Sequence, residues 1–150
     1  MTNANILWHI MQGDSLEVAM SKAGADSAKN MQVKRFAQRM VTAHTQHLDE
    51  VKSTASTAKI TPEEAAADTA NAMMATRMMD RLSDTKAGGP RDRLLMESEI
   101  DFYTQLLHNL ESARGEATGP TKQLVERTVP VVRQHLTDAR AILRKLGTSS

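Results

Sequence analysis

The sequence predicts an all-α protein, an antiparallel four-helix bundle with one additional crossover helix. Three observations predict it. Hydrophobic residues make up 40% of 150 residues, enough for the core of one domain spanning the whole chain. Aromatic residues are only 3%, so the core must be built from Leu, Val, Ile, Ala and Met, a palette that favours helices over strands. Apolar residues recur at helical spacing along the chain, and no stretch alternates with the period of a strand.

The first helix is expected over residues 3–28, with Thr2 or Asn3 as its cap. Ile6, Ile10, Gly13, Leu16 and Met20 form its inward stripe. The second is expected over 31–58, after a weakly marked break at Lys29 and Asn30. Val33, Phe36, Ala37, Met40, Leu48 and Val51 share its apolar side, opposite Lys34, Arg35, Gln38, Thr45, Asp49 and Lys52. The third has the clearest start signal. Thr61 stands as N-cap, Pro62 at the first helical position and Glu64 three residues after the cap, so the helix is expected over 61–84. It is rich in Ala and Met and has no Val or Ile, and at 1.5 Å per residue it would span about 30 Å. That reads as the long crossover of a ferritin-like bundle, packed outside the other four helices without a deep stripe.

Gly88, Gly89 and Pro90 read as the loop that stops the third helix. The fourth is expected to run to Arg114, with Met96, Ile100, Leu106, Leu107 and Leu110 inward and His108 outward. Residues 115–119 read as a loop. The fifth helix opens at Pro120 and ends at Leu146, with Leu124, Val131, Val132, Ala139, Ile142 and Leu146 inward and Pro130 as an internal kink.

Each of the four long helices carries one polar residue in its apolar stripe: Glu17, His44, Glu99 and His135, with His47 and Tyr103 close by. Burying an unpaired polar group costs about 1–3 kcal/mol, and more for a charge. Four such residues at similar depth predict a shared polar layer, the place where helical bundles hold metals and cofactors. One reading is a single transition-metal site for Zn, Cu or Fe, with His47 and Tyr103 supporting the four ligands. The other is a hydrogen-bonded network in which each Glu holds an imidazole and helix register is fixed. A standard di-iron centre is disfavoured, because no Glu-x-x-His occurs. His44 and His47, one turn apart, are a further candidate chelating pair, although His47 also reads as edging the stripe toward solvent. Met73, Met74, Met78 and Met79 suit Cu(I) by their thioethers, and equally suit core filling in a chain poor in aromatics.

Composition excludes other classes. With 19 basic and 18 acidic residues the formal net charge is +1, and no basic patch suggests nucleic-acid binding. The absence of Cys excludes disulfides, thiolate metal sites and Cys nucleophiles. No apolar run reaches the roughly 20 residues of a membrane span, and residues 1–13 lack the pattern of a signal peptide. No Ser or Thr sits in a nucleophile elbow. A non-catalytic bundle is therefore the leading expectation. It would bind a metal ion or small ligand at the layer, with a structural or interaction protein, a homo-oligomer among the forms it would take, as the competing class. An atypical metal-dependent oxidase is the third.

Four blocks carry a resemblance: Asp14-Ser15-Leu16-Glu17-Val18; Val33 through Phe36-Ala37, Met40-Val41 and His44; Met96-Glu97-Ser98-Glu99-Ile100; and Pro130 through His135-Leu136 to Ala139. Over nearly the whole chain the sequence resembles a large bacterial ferritin-like family of unknown function whose members are often labelled outer-membrane or exported proteins. The resemblance implies a ferritin-like bundle, export to the periplasm and a stress or storage setting. The chain's own N-terminal residues leave the cytoplasm open. Glu17, His44, Glu99 and His135 match the family's corresponding positions, whereas Tyr103 stands where relatives often carry His.

Overall fold

The computed structural model describes residues 1–65 and 68–148, which form five helices and, among the described residues, no strand. They are α1 (Asn3–Ser27), α2 (Met31–Ala58), α3 (Asp68–Asp84), α4 (Gly89–Glu116) and α5 (Gly119–Thr148). Thr2 caps α1 in a reciprocal pair with Asn5. Asn30 caps α2 by accepting from the amides of Gln32 and Val33. The break at Lys29 and Asn30 is fixed from elsewhere in the chain. The buried carboxylate of Asp92, in the first turn of α4, accepts from Lys29 N at 3.1 Å and Asn30 N at 2.6 Å.

The two sequential pairs, α1 with α2 and α4 with α5, are antiparallel hairpins with the most extensive packing. They face each other through α2 against α5 and α1 against α4. Asp92 brings the start of α4 to the start of α2. At the opposite end, Asn3 Nδ2 donates to Thr118 Oγ1 at 3.0 Å and the Met1 amino group pairs with Glu116. Helices α2 and α4 therefore run parallel, and the chain between them must travel the length of the bundle. The 17 residues of α3 cover about 25 Å of that path. The helix lies across the α1/α4 seam, with only Leu82 buried among its described side chains and Met78 and Met79 half-buried. Ser98 Oγ donates to Met78 Sδ at 2.8 Å, and Arg91 caps the carbonyls of Ser83 and Thr85.

Three boundary expectations are corrected. Residues 61–65 are not helical, despite the capping signature at Thr61, Pro62 and Glu64. Their backbone is bonded elsewhere: Glu63 N donates to Ala4 O at 3.1 Å, and Asn5 Nδ2 donates to Glu63 O at 3.0 Å. Ala66 and Ala67 lie outside the described residues. The loops at the two glycine clusters are shorter than expected. Gly89 and Pro90 already belong to α4, with Gly88 at φ 103° taking the turn; α4 runs through Gly115 to Glu116, and α5 starts at Gly119 and ends past Leu146 at Thr148. The five-residue loop reduces to Ala117 and Thr118. Helix α5 continues across Pro130.

The core is aliphatic as expected, with Leu7, Val33, Phe36, Met96, Leu124 and Val125 sealed from solvent. Gly24 allows α1 to approach α4; a Cβ there would stand 2.5 Å from Leu95 Cδ2. Val131 departs from the expected stripe and is 50% exposed, because the α2/α5 seam opens into a cleft at that level. The thin burial of α3 sets its stability, since amide protection follows buried contacts. Backbone amides of α3 are expected to exchange at least about tenfold faster than those of α2 in native-state hydrogen exchange. Equal protection in the two helices would contradict this packing.

Candidate functional site

The four predicted layer residues converge between the two hairpins, joined by residues the sequence did not single out. Glu17 and Glu99 are 0% exposed and His44 4%. His135 is half-buried, with its ring centroid 5.7 Å from that of His44 and 5.4 Å from that of Tyr103. Tyr103, expected as a supporting residue, is the central link. Its hydroxyl donates to Glu17 Oε1 at 2.8 Å and lies 3.0 Å from His44 Nε2.

A continuous hydrogen-bonded chain runs through the layer. At its inner end Ser21 Oγ reaches Glu17 Oε1 at 2.9 Å and Glu99 Oε1 at 3.3 Å. Glu17 connects through Tyr103 to His44, and His44 Nδ1 lies 2.8 Å from Asp14 Oδ1. The Asp14 carboxylate also holds His47 Nδ1, at 2.9 Å to Oδ2. His47 Nε2 ends the chain 2.8 Å from Thr128 Oγ1, which also donates to Leu124 O. Helices α1, α2, α4 and α5 all contribute.

The expected network, in which each Glu holds an imidazole, is corrected in its wiring. Asp14 holds both His44 and His47, while Glu17 binds a phenol and shares Ser21 with Glu99. His47, read as edging toward solvent, is half-buried and tied at both ring nitrogens. Asp14, Ser21 and Thr128 were missed as site residues. Asp14, Glu17 and Ser21 sit at i, i+3 and i+7, which places them on one helix face, so that spacing was the available signal. His135 does converge, but no group among the described residues hydrogen-bonds its ring.

Electrostatics follow from burial. The Glu99 carboxyl is pushed well above the usual carboxylate range, first by desolvation, then by the Glu17 charge and a hydrogen bond to Glu17, with Ser21 opposing. Among the described residues, Glu17 Oε2 and Glu99 Oε2 receive no hydrogen bond from any other group. A proton retained on Glu99 supplies the donor that this pair of carboxyls lacks. Burial, then the Glu17 and Glu99 charges, raise the Tyr103 phenol above its ordinary value, so it stays a donor. His135 moves the other way, lowered to about 4, first by burial and then by His44, with Arg39 adding and Glu17 and Asp138 opposing. It is neutral at physiological pH.

The outer end of the layer opens on a cleft of about 160 Å³ between α2 and α5. Asp14, His44, His47, Thr128 and His135 form its polar wall; Ile10, Leu106, Val131 and Val132 form its apolar wall. The ion pair of Arg127 with Glu50, at 2.9 Å, stands at the rim. As arranged, the layer's donors are turned on one another. His44 uses both nitrogens within the chain, and no three His, Asp or Glu side chains among the described residues are grouped to hold an ion. The methionines considered for Cu(I) divide: Met73 and Met74 are exposed on α3, and Met78 and Met79 pack half-buried against the core.

Two outcomes follow. Tyr103→Phe removes the donor to Glu17 and the partner of His44 Nε2, and should destabilise the fold by about 1–3 kcal/mol in denaturant unfolding. A neutral effect would show that the central link carries little. The second concerns pH. The raised Glu99 contributes stability present at low pH and lost as pH rises through its folded value; the lowered His135 contributes stability present above about 6.5 and lost as pH falls toward 4. Glu99→Gln, which has no proton to lose, should therefore gain on the parent as pH rises through the folded value of Glu99. His135→Leu should flatten the acid limb between pH 6.5 and 4. Parallel stability–pH curves for parent and variants would contradict both assignments.

No match to this chain was found among curated proteins. Among solved structures it is similar to a protein from Streptomyces coelicolor described as "putative secreted protein DUF305", at 12% identity and a TM-score of 0.80. That similarity covers 97% of this chain and 93% of the other, and concerns the fold alone. The model of the family described as "Domain of unknown function (DUF4142)" matches residues 1–142, and the chain belongs to that family.

Proposed function

We propose that this protein is a non-catalytic binding bundle of ferritin-like topology. The buried layer locks its two hairpins in register, and the cleft beside the layer receives a small ligand. His135 carries the reading: a neutral imidazole on the wall of a cleft, its ring not hydrogen-bonded by any described residue, has bonding capacity to spare where a ligand can reach it. One long crossover between parallel α2 and α4 supports the topology. Export to the periplasm is proposed on the family resemblance and the secreted description of the structural relative.

A metal ion at Glu17, His44, Glu99 and His135 is the second reading, favoured by the two carboxyl oxygens buried without a donor. A Zn, Cu or Fe ion would take the place of the Glu99 proton, and an oxidase activity would require that ion first. Pure register-fixing is favoured by His44, whose two nitrogens are both engaged within the network.

Thermal melting against a set of small molecules and against Zn²⁺, Cu²⁺ and Fe²⁺ tests these together. A cleft ligand at ten times its Kd should raise Tm by about 3–6 °C. Val132→Phe, which fills the cleft, should abolish the shift. A metal-induced shift lost in His44→Ala would favour the second reading. If neither molecule nor ion raises Tm, the register-only protein stands.

A further inference from the structure

We infer that the cleft between α2 and α5 takes an uncharged, single-ring molecule with one acidic O–H or N–H, a phenol-like ligand whose hydrogen bonds to His135. This deepens the proposed binding function and rests on it. Three observations carry the class. The first is size: the cleft holds about 160 Å³, and a cavity of about 150 Å³ accommodates benzene.

The second is charge. Every charged group on the cleft wall is already paired. The Asp14 carboxylate bridges His44 and His47, and Glu50 holds Arg127. A carboxylate or ammonium ligand would surrender its hydration without meeting a free counter-charge, and that loss is large. A neutral ring loses little on leaving water and gains contact with Ile10, Leu106, Val131 and Val132.

The third is the free imidazole. His44 and His47 spend both ring nitrogens inside the network, whereas His135 makes none of these bonds while facing the same cleft. A neutral imidazole offers one lone pair and one N–H. Its lone pair matches a phenolic or azole hydrogen. A lone imidazole is a poor chelator, so the cleft wall itself favours a protic molecule over an ion.

The test uses the full chain, ¹⁵N-labelled, and five probes: phenol, benzene, benzoate, benzylammonium and Zn²⁺. Phenol should give saturable shifts at Val132, His47 and the His135 ring nitrogens. Benzene should bind the same residues about tenfold more weakly, the worth of one hydrogen bond. Benzoate and benzylammonium should give no saturable shift there. His135→Leu removes no hydrogen bond from the fold; it should lower phenol affinity to that of benzene and leave benzene unchanged. The comparison among probes on the parent protein stands independently of that variant. Equal affinity for phenol and benzene, or saturable binding of a charged probe or Zn²⁺ at the cleft, would overturn the ligand class and leave a binding cleft. Silence from all five probes at these residues would overturn the binding reading as well.

Discussion

Two carboxyl groups on facing helices, sealed from water and out of reach of any described lysine or arginine, impose the constraint on which the rest of this bundle depends. Among the described residues, the hydrogen-bond partners of Glu17 and Glu99 are a phenol and a serine hydroxyl, and burial holds Glu99 toward its protonated form. These weak partners must be placed correctly. A one-residue slip of either helix would turn its carboxyl by about 100° into aliphatic packing, where an unpaired polar group is costly. Polar groups buried in this way give up stability that an aliphatic layer would provide, and they discriminate one hairpin register from its neighbours.

The layer is graded from one end to the other. Its inner end is buried and sets two acids face to face, with Glu99 held toward its protonated form. Its middle passes through Tyr103 to His44, and its outer end reaches Asp14, His47 and Thr128 at the cleft. Opposite pKa shifts at Glu99 and His135 have the same cause, desolvation, acting on an acid and a base. Both shifts favour the uncharged form, which limits the charge that the core must hold. The cleft inherits this neutrality: its wall is polar in composition and has no unpaired charge.

Much of this architecture was legible in the sequence. Helices α1 and α2 could be bounded to within a residue, because their apolar stripes are long and Thr2 is a good cap, although the Asn30 cap of α2 was only weakly marked. The convergence of Glu17, His44, Glu99 and His135 was legible from polar residues interrupting those stripes. The wiring was not. Which acid meets which imidazole depends on the angle between helices, and spacing along one helix does not contain it. Asp92 clamps residues more than 60 positions away, so its role is invisible locally. The start of α3 was misjudged for a related reason. Residues 61–65 carry helix-capping chemistry, yet Glu63 binds the first turn of α1, and tertiary hydrogen bonds outweigh a local signal worth about 1 kcal/mol. Thr128 escaped notice because a threonine that returns its hydroxyl hydrogen to the preceding turn is tolerated inside a helix.

The parallel course of α2 and α4 divides the molecule into two halves that are each local in sequence. Helix pairs joined by turns of a few residues form quickly, since little chain entropy is lost in closing them. The complete polar layer cannot exist within either half, because Asp14, Glu17, Ser21, His44 and His47 belong to one and Glu99, Tyr103 and Thr128 to the other. It is completed only where the halves dock, and α3 is the tether that joins them. The layer thus discriminates among dockings, since a misdocked pair of halves would expose or strand two acids.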